Sequence, residues 1–167
     1  EAYRGNSVLM TGPGGVGKSY LIKKIVKIVE DQGFSVQVCG MTGSASELLD
    51  DAMTLHSWSG ARLMNQSIQD TIELVRKNRK ALARWRGVDV LVIDEISMLS
   101  KPSFEILDAL GKNLRESSEA FGGIQVIGSG DFLQIPPVAD SRIPDSHRFA
   151  FESPRWSELF PKERVIE

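Results

Sequence analysis

At 167 residues the chain is one domain's worth of sequence, long enough to bury a sizeable core. A composition of 41% hydrophobic and 25% charged residues excludes a disordered or fibrous chain, and no apolar run approaches the roughly 20 residues that a membrane-spanning helix needs. A net charge of −2 gives no bulk affinity for nucleic acid, so any such contact requires a local groove. Cys39 is the only cysteine, which leaves no internal disulfide and agrees with a reducing interior. The polar opening Glu1-Ala2-Tyr3-Arg4-Gly5-Asn6 does not read as a secretory leader.

In chain order, Val8-Leu9-Met10 is a short apolar run ending in Thr11-Gly12 and predicts a buried strand. A glycine-rich turn follows over residues 12–17. Residues 19–32 predict a helix, with Leu21, Ile22, Ile25, Val26, Ile28 and Val29 at core-facing spacings and Gly33 as its stop. Residues 36–39 predict a second strand, and residues 44–53 a helix. One longer helix is expected over residues 67–86, with Ile68, Ile72, Val75, Leu82 and Trp85 on one side. Its charges include a basic cluster of Arg76, Lys77, Arg79, Lys80, Arg84 and Arg86, read first as a solvated helix face and only second as a DNA site. The run Val88, Val90, Leu91, Val92 and Ile93 is what a strand covered on both faces requires. Residues 102–115 predict a helix with Phe104, Leu107, Leu110 and Leu114 inside, residues 124–127 a strand, residues 139–148 a polar surface loop, and residues 154–160 a short helix. Strands that alternate with helices predict an α/β fold, a parallel sheet with helices on both faces. No repeat, low-complexity tract or linker divides the chain, so residues 1–167 are expected to form a single domain.

Gly12-Pro13-Gly14-Gly15-Val16-Gly17-Lys18-Ser19 fits the phosphate-loop pattern G-x-x-x-x-G-K-[ST] between a strand and a helix. A triphosphate is dense negative charge. Consecutive backbone N–H groups can surround it only where side chains do not intrude, hence Gly12, Gly14, Gly15 and Gly17, with Val16 contributing its backbone. The first turn of the following helix adds free N–H donors and the positive end of its dipole. Lys18 can reach the β- and γ-phosphates, and the Ser19 hydroxyl can ligate Mg²⁺. A glycine-rich turn that binds nothing is the bland alternative. The loop by itself names ATP or a related nucleotide rather than a reaction, since kinases and GTPases carry it too.

Leu91-Val92-Ile93-Asp94-Glu95 puts two carboxylates at the end of the most strongly apolar strand. Ligands of open parallel sheets sit beyond the carboxyl ends of strands, where the phosphate loop also lies. Asp94 is then placed to hold Mg²⁺, directly or through water, and Glu95 to orient and deprotonate a water for attack on the γ-phosphate. Two solvated acids in a turn are the alternative. A second carboxylate beside the metal ligand favours hydrolysis over transfer to a small acceptor.

Gly130-Asp131-Phe132-Leu133-Gln134-Ile135-Pro136-Pro137-Val138 closely resembles motif III of superfamily-one helicases of the Pif and RecD-like branch. Asp94-Glu95-Ile96-Ser97-Met98 resembles that branch's motif II. Thr42-Gly43-Ser44-Ala45 resembles motif Ia, and Thr54-Leu55-His56-Ser57-Trp58 the Thr-Leu-His-Ser element after it. Phe121-Gly122-Gly123-Ile124-Gln125 is similar to part of the signature stretch of the Pif-type family, with Asp108, Leu110 and Arg115 where that stretch has such residues. The likeness runs from about residue 7 to the end.

The resemblance implies a RecA-like P-loop NTPase domain, the first motor domain of a 5′→3′ DNA helicase that moves on single-stranded DNA at the expense of ATP. It implies that Gln134 senses the γ-phosphate and couples it to the DNA track, catalytically alongside Lys18 and Glu95. It implies that Thr42, Gly43 and His56 line the DNA groove, Thr42 at a phosphate and His56 at the backbone or a base. For His56, packing within the domain is an equal alternative; for Trp58, packing is the preferred reading. The expected partners are single-stranded DNA and a second motor domain of the same protein, which itself is expected to be a monomer with no membrane attachment. The expected setting is intracellular: nucleus or mitochondrion in a eukaryote, cytoplasm in a bacterium or virus, with work in DNA repair, recombination and telomere maintenance. Pro13 and Gly15-Val16 depart from the family's usual loop, Ser46 stands where the family has Ala, and Gly40-Met41 replaces a small or polar pair. The family's adenine-reading Gln motif is expected before Glu1, and its next arginine motif and second motor domain after Glu167. Another P-loop ATPase, of AAA+ or RecD-like type, and a non-catalytic single-stranded-DNA-binding module remain as alternatives.

Overall fold

Successive side chains on a strand point to opposite faces of the sheet, so a strand that is apolar at every position must be covered twice. The computed structural model, which describes residues 5–14, 17–43 and 51–167, shows how this is done. The elements run β1 (Val8–Thr11), α1 (Lys18–Asp31), β2 (Val36–Gly40), β3 (Met53–Thr54), α2 (Leu55–Ser59), α3 (Ile68–Lys77), α4 (Arg79–Gly87), β4 (Val90–Asp94), α5 (Lys101–Leu114), β5 (Gln125–Gly130), α6 (Trp156–Leu159) and β6 (Val165–Ile166). Among the described residues the strands form one parallel sheet in the order β3-β2-β4-β5-β1-β6. Val90 and Val92 of β4 join Met10, Val38 and Ile127 in a core closed by Ile22, Val26 and Val29 of α1. Leu91 and Ile93 join Leu9, Cys39 and Val126 in a second core on the opposite face, closed by the other helices. The α/β reading with helices on both faces therefore holds. Burial at this second core pushes the Cys39 thiol far above its ordinary pKa, so Cys39 packs as a small apolar side chain.

Several local expectations are corrected. The expected single helix over residues 67–86 is two helices, because Asn78 adopts φ −93°, ψ 97° and its side-chain oxygen accepts a hydrogen bond from the Ala81 N–H at 3.1 Å, capping α4. Ile68 and Leu21 belong to the solvent side, 44% and 43% exposed, rather than to the core. Residues 44–50 of the helix expected over 44–53 lie outside the described residues, and Met53 belongs to β3. The strand expected from Val88 begins at Val90, since the Val88 N–H still closes α4 onto the Arg84 carbonyl. β3 and β6 have two residues each and α2 five, too short to leave a periodic signal.

The basic cluster is largely the solvated face expected: Arg76, Lys77, Arg79, Lys80 and Arg86 are exposed and Arg84 is half-buried. Its arginines also bond neighbouring elements: Arg84 donates to the Trp58 and Ser57 carbonyls at 2.8 and 3.0 Å, Arg86 to the Leu114 carbonyl at 3.1 Å, and Arg76 to the Asn113 side-chain oxygen at 2.6 Å. These three side chains tie α4 to α2 and both α3 and α4 to α5. Trp58 packs, as expected, against Trp85 with ring centroids 4.7 Å apart, and the Trp85 indole N–H donates to the Ser59 carbonyl at 2.9 Å.

The stretch from Asp108 to Gly123 forms a buttress between α5 and β5. The buried Asp108 carboxylate accepts from the Phe121 N–H at 2.9 Å and pairs with Lys112 at 2.8 Å. The Arg115 guanidinium donates to the Gly122, Trp85 and Val88 carbonyls at 2.9, 2.8 and 3.0 Å. Gly122 has φ 65°, and the turn that carries it lies directly on the helix: a Cβ at Gly111 would stand 2.5 Å from the Phe121 carbonyl carbon. Gly→Ala inside a helix ordinarily stabilises by about 1 kcal/mol. Here the added methyl meets backbone, so Gly111→Ala should instead destabilise by about 2 kcal/mol or more in chemical denaturation. A gain in stability would show that the turn can move away from α5.

Candidate functional site

In a parallel sheet all carboxyl ends fall on one edge. Thr11 at the end of β1 pairs with Gly130 at the end of β5, and Gly40 at the end of β2 pairs with Asp94 at the end of β4. The segments that leave this edge are therefore the glycine-rich loop, Met41-Thr42-Gly43, Asp94-Glu95 and Asp131-Phe132-Leu133-Gln134.

Gly12, Gly14, Gly17, Lys18 and Ser19 can be placed; Gly15 and Val16 lie outside the described residues. Gly17 caps α1 with φ 82°, a left-handed conformation that side chains resist, and so turns the chain into the helix at Lys18 and Ser19. The first-turn N–H groups of α1 thereby face the loop. The Lys18 ammonium donates to the Gly12 carbonyl and, at 3.4 Å, to that of Pro13, so the cation is held against the start of the loop. Gln134 reaches the same loop from β5: a Cβ at Gly14 would come within 3.0 Å of its side-chain nitrogen. A local turn aims it there, with the Asp131 carboxylate accepting from the Leu133 N–H at 2.9 Å and the Asp131 carbonyl from the Gln134 N–H at 3.1 Å. Phe132 anchors this turn in an aromatic cluster, 5.4 Å from Phe151 and 6.3 Å from Trp156.

Asp94 is half-buried. Burial raises its pKa above the ordinary carboxylate value, and the Glu95 charge adds to this; the Glu95 N–H, bonded to an Asp94 oxygen at 2.9 Å, and the nearby Lys18 cation oppose it. The influence of Lys18 on Asp94 ties the acidic pair to the phosphate loop. Glu95 itself adopts φ 56°, ψ 36°, a left-handed conformation costing about 1 kcal/mol or more away from glycine. The buried Ile96 and Ser97 hold the short turn that follows. Ser19 and Asp94 offer a hydroxyl and a carboxylate, the hard oxygen donors that Mg²⁺ selects. Among the described residues no three His, Cys, Asp or Glu side chains gather as a metal cage.

Of the expected nucleic-acid residues, Thr42 donates its hydroxyl to a Glu95 carboxylate oxygen at 3.1 Å, a contact that the sequence reading missed. Gly43 follows it. His56 lies on α2 just past the carboxyl end of β3, the strand beside β2, and its half-buried setting lowers its pKa below the ordinary imidazole value. The sequence reading also missed an apolar cleft of about 540 Å³ next to Gly12 and Pro13, walled by Phe132, Leu133, Phe151 and Trp156. Its only signal was the aromatic content of residues 132–160.

The raised pKa of Asp94 carries a stability consequence. The folded state holds this proton to higher pH than the unfolded chain does, so stability falls as pH rises from the ordinary carboxylate value through the raised one. Asp94→Asn keeps an oxygen for the Glu95 N–H and removes the buried charge. It should melt a few degrees above the wild type at pH 7, with the gap closing toward pH 4 in a calorimetric series. A lower melting temperature than wild type at pH 7 would contradict this.

The sequence profile of PIF1-like helicases matches residues 1–163. The ATP-dependent DNA helicase PIF1 of Candida albicans is 39% identical over 175 residues, covering 100% of this chain and 19% of the helicase. The crystal structure of that organism's Pif1 helicase superposes with a TM-score of 0.89 at 38% identity, covering 99% of this chain and 36% of that one. Bacteroides Pif1 in complex with ADP-AlF3 and single-stranded DNA superposes with a TM-score of 0.64 at 30% identity, covering 89% and 35%. A structure of DNA unwinding at forked double-stranded DNA by two coordinating Pif1 helicases superposes with a TM-score of 0.67 at 28% identity, covering 93% and 38%. The chain spans about a fifth of the length of the curated relatives it matches. With the profile covering nearly all of it, the chain belongs to the PIF1-like helicase family.

Proposed function

We propose that this chain is the ATP-hydrolysing motor domain of a 5′→3′ DNA helicase and works with a second motor domain in a longer protein. The observation that carries the reading is the meeting, at one sheet edge, of a lysine-bearing phosphate loop, a strained acidic pair and a turn that aims Gln134 at the loop. Lys18 would hold the β- and γ-phosphates and the α1 N-terminus would add donors to them. Ser19 and Asp94 would hold Mg²⁺, which when bound neutralises charge on the phosphates. Glu95 would accept the proton of the attacking water, and the neutral Gln134 amide would bond a γ-phosphate oxygen and lose that partner after hydrolysis. Thr42, Gly43 and His56, on neighbouring strand ends, would take the single strand. The Bacteroides complex with ADP-AlF3 and single-stranded DNA supports both ligands. The expected monomer draws no support from the relative in which two helicases coordinate at a fork. Nucleus or mitochondrion in a eukaryote, cytoplasm otherwise, is the compartment we assign; among the described residues no helix is long and apolar enough to cross a membrane.

In the full-length protein, Lys18→Ala should weaken binding of a fluorescent ATP analogue at least tenfold, the loss of one charged hydrogen-bonding partner (about 1.5–3 kcal/mol). Glu95→Gln should retain binding but lower turnover by about 10²–10⁴. Residues 1–167 alone should hydrolyse ATP very slowly and unwind nothing, because the second domain's arginine is typically worth about 10³–10⁵ in rate. Equal nucleotide affinity in wild type and Lys18→Ala would remove the phosphate-loop assignment. Absence of DNA-stimulated ATPase in the full-length protein would remove the motor.

A further inference from the structure

β2 and β4 are neighbours with Gly40 opposite Asp94, so the segments that follow them leave the sheet side by side. This brings together two residues 53 positions apart: the Thr42 hydroxyl donates to Glu95 at 3.1 Å. The Glu95 backbone has little freedom to rearrange. Its left-handed φ is held by the hydrogen bond from its N–H to Asp94 on one side and by the buried Ile96 and Ser97 on the other. The backbone thus sets where the Glu95 side chain leaves, and Thr42 stands on that path. A hydroxyl has one proton to donate. On the function proposed above, Thr42 is also a contact for a DNA phosphate, so phosphate and Glu95 compete for the same proton. While Glu95 receives it, one carboxylate oxygen is engaged. A phosphate that takes it withdraws the Thr42 hydroxyl from the carboxylate that, on the proposed function, accepts a proton from water.

We infer that Thr42 is a positioning residue that couples DNA to hydrolysis, its hydroxyl holding the Glu95 carboxylate until a DNA phosphate takes the hydrogen bond. The inference rests on the motor reading and adds to it a route by which the single strand reaches the general base.

The test is steady-state ATP hydrolysis by the full-length protein, with and without a saturating thymidine oligonucleotide. The proteins are wild type, Thr42→Val and Thr42→Ser, with binding of a fluorescent ATP analogue measured on each. Thr42→Val should raise DNA-free turnover roughly three- to tenfold, the range that one hydrogen bond spans, and lower the stimulation ratio by the same factor. Thr42→Ser, which keeps the hydroxyl, should restore the wild-type ratio. If the valine protein fails to bind nucleotide, Thr42→Ala takes its place with the same expectation. DNA-free turnover at or below the wild-type rate in Thr42→Val, alongside a DNA-stimulated wild type, overturns the coupling and leaves the motor reading standing. So does a serine protein that behaves like the valine one. A wild type that DNA does not stimulate overturns the motor reading, and the coupling with it.

Discussion

β4 is clamped between β2 and β5, with Val38 opposite Val92 on one side and Ile127 opposite Val92 on the other, and the site is hung from its end. An apolar strand covered on both faces is indifferent to a slip of one residue as far as its interior is concerned, because valine, leucine and isoleucine suit either core. What pins its register is the polarity of its ends. Asp89 precedes the strand and accepts the Ser35 N–H at 2.8 Å, while Asp94 closes it and is already half-buried. A shift in either direction would drag one carboxylate into an apolar core, at a cost well beyond that of any lost methyl contact. The two aspartates thus fix the height at which Glu95 leaves the sheet, and through strand pairing the level at which Thr42 and the phosphate loop stand beside it.

On the proposed function, strain is stored where the chemistry needs direction. Glu95 is held at φ 56°, and the order around it comes from its immediate neighbours: the Asp94 carboxylate below and the buried Ile96 and Ser97 above. Gln134 is served in the same way by the Asp131 turn and the Phe132 anchor. Both residues are polar groups on short loops. Their placement depends on large apolar neighbours that cannot move without opening a core, the economical way to keep a polar side chain aimed.

The Asp108–Gly123 region clarifies a different part of the resemblance. Asp108 and Arg115, placed by likeness alone in a family signature, turn out to hold main-chain groups. Asp108 caps the Phe121 N–H, and Arg115 gathers carbonyls from α4 and from the turn before β5. This signature maintains the fold; it does not touch the carboxyl edge of the sheet.

The order of elements, the phosphate loop, the acidic pair and the Gly130–Val138 segment were legible in the sequence. Each is a local pattern whose chemistry is complete within a few residues: glycines where backbone must approach phosphate, carboxylates at the end of an apolar run. Length limited what periodicity could report, so the two-residue strands β3 and β6 passed unnoticed, and Asn78 read as a helix residue although its side chain is a cap. What only the tertiary structure decided is who stands beside whom. Strand order in the sheet is not strand order in the chain, and no local pattern states that β2 lies against β4. The Thr42–Glu95 contact, the arginines that tie α2, α3, α4 and α5, and the aromatic cleft next to the phosphate loop all join residues far apart in sequence. They exist because burying both faces of β4 leaves the chain few ways to arrange everything else.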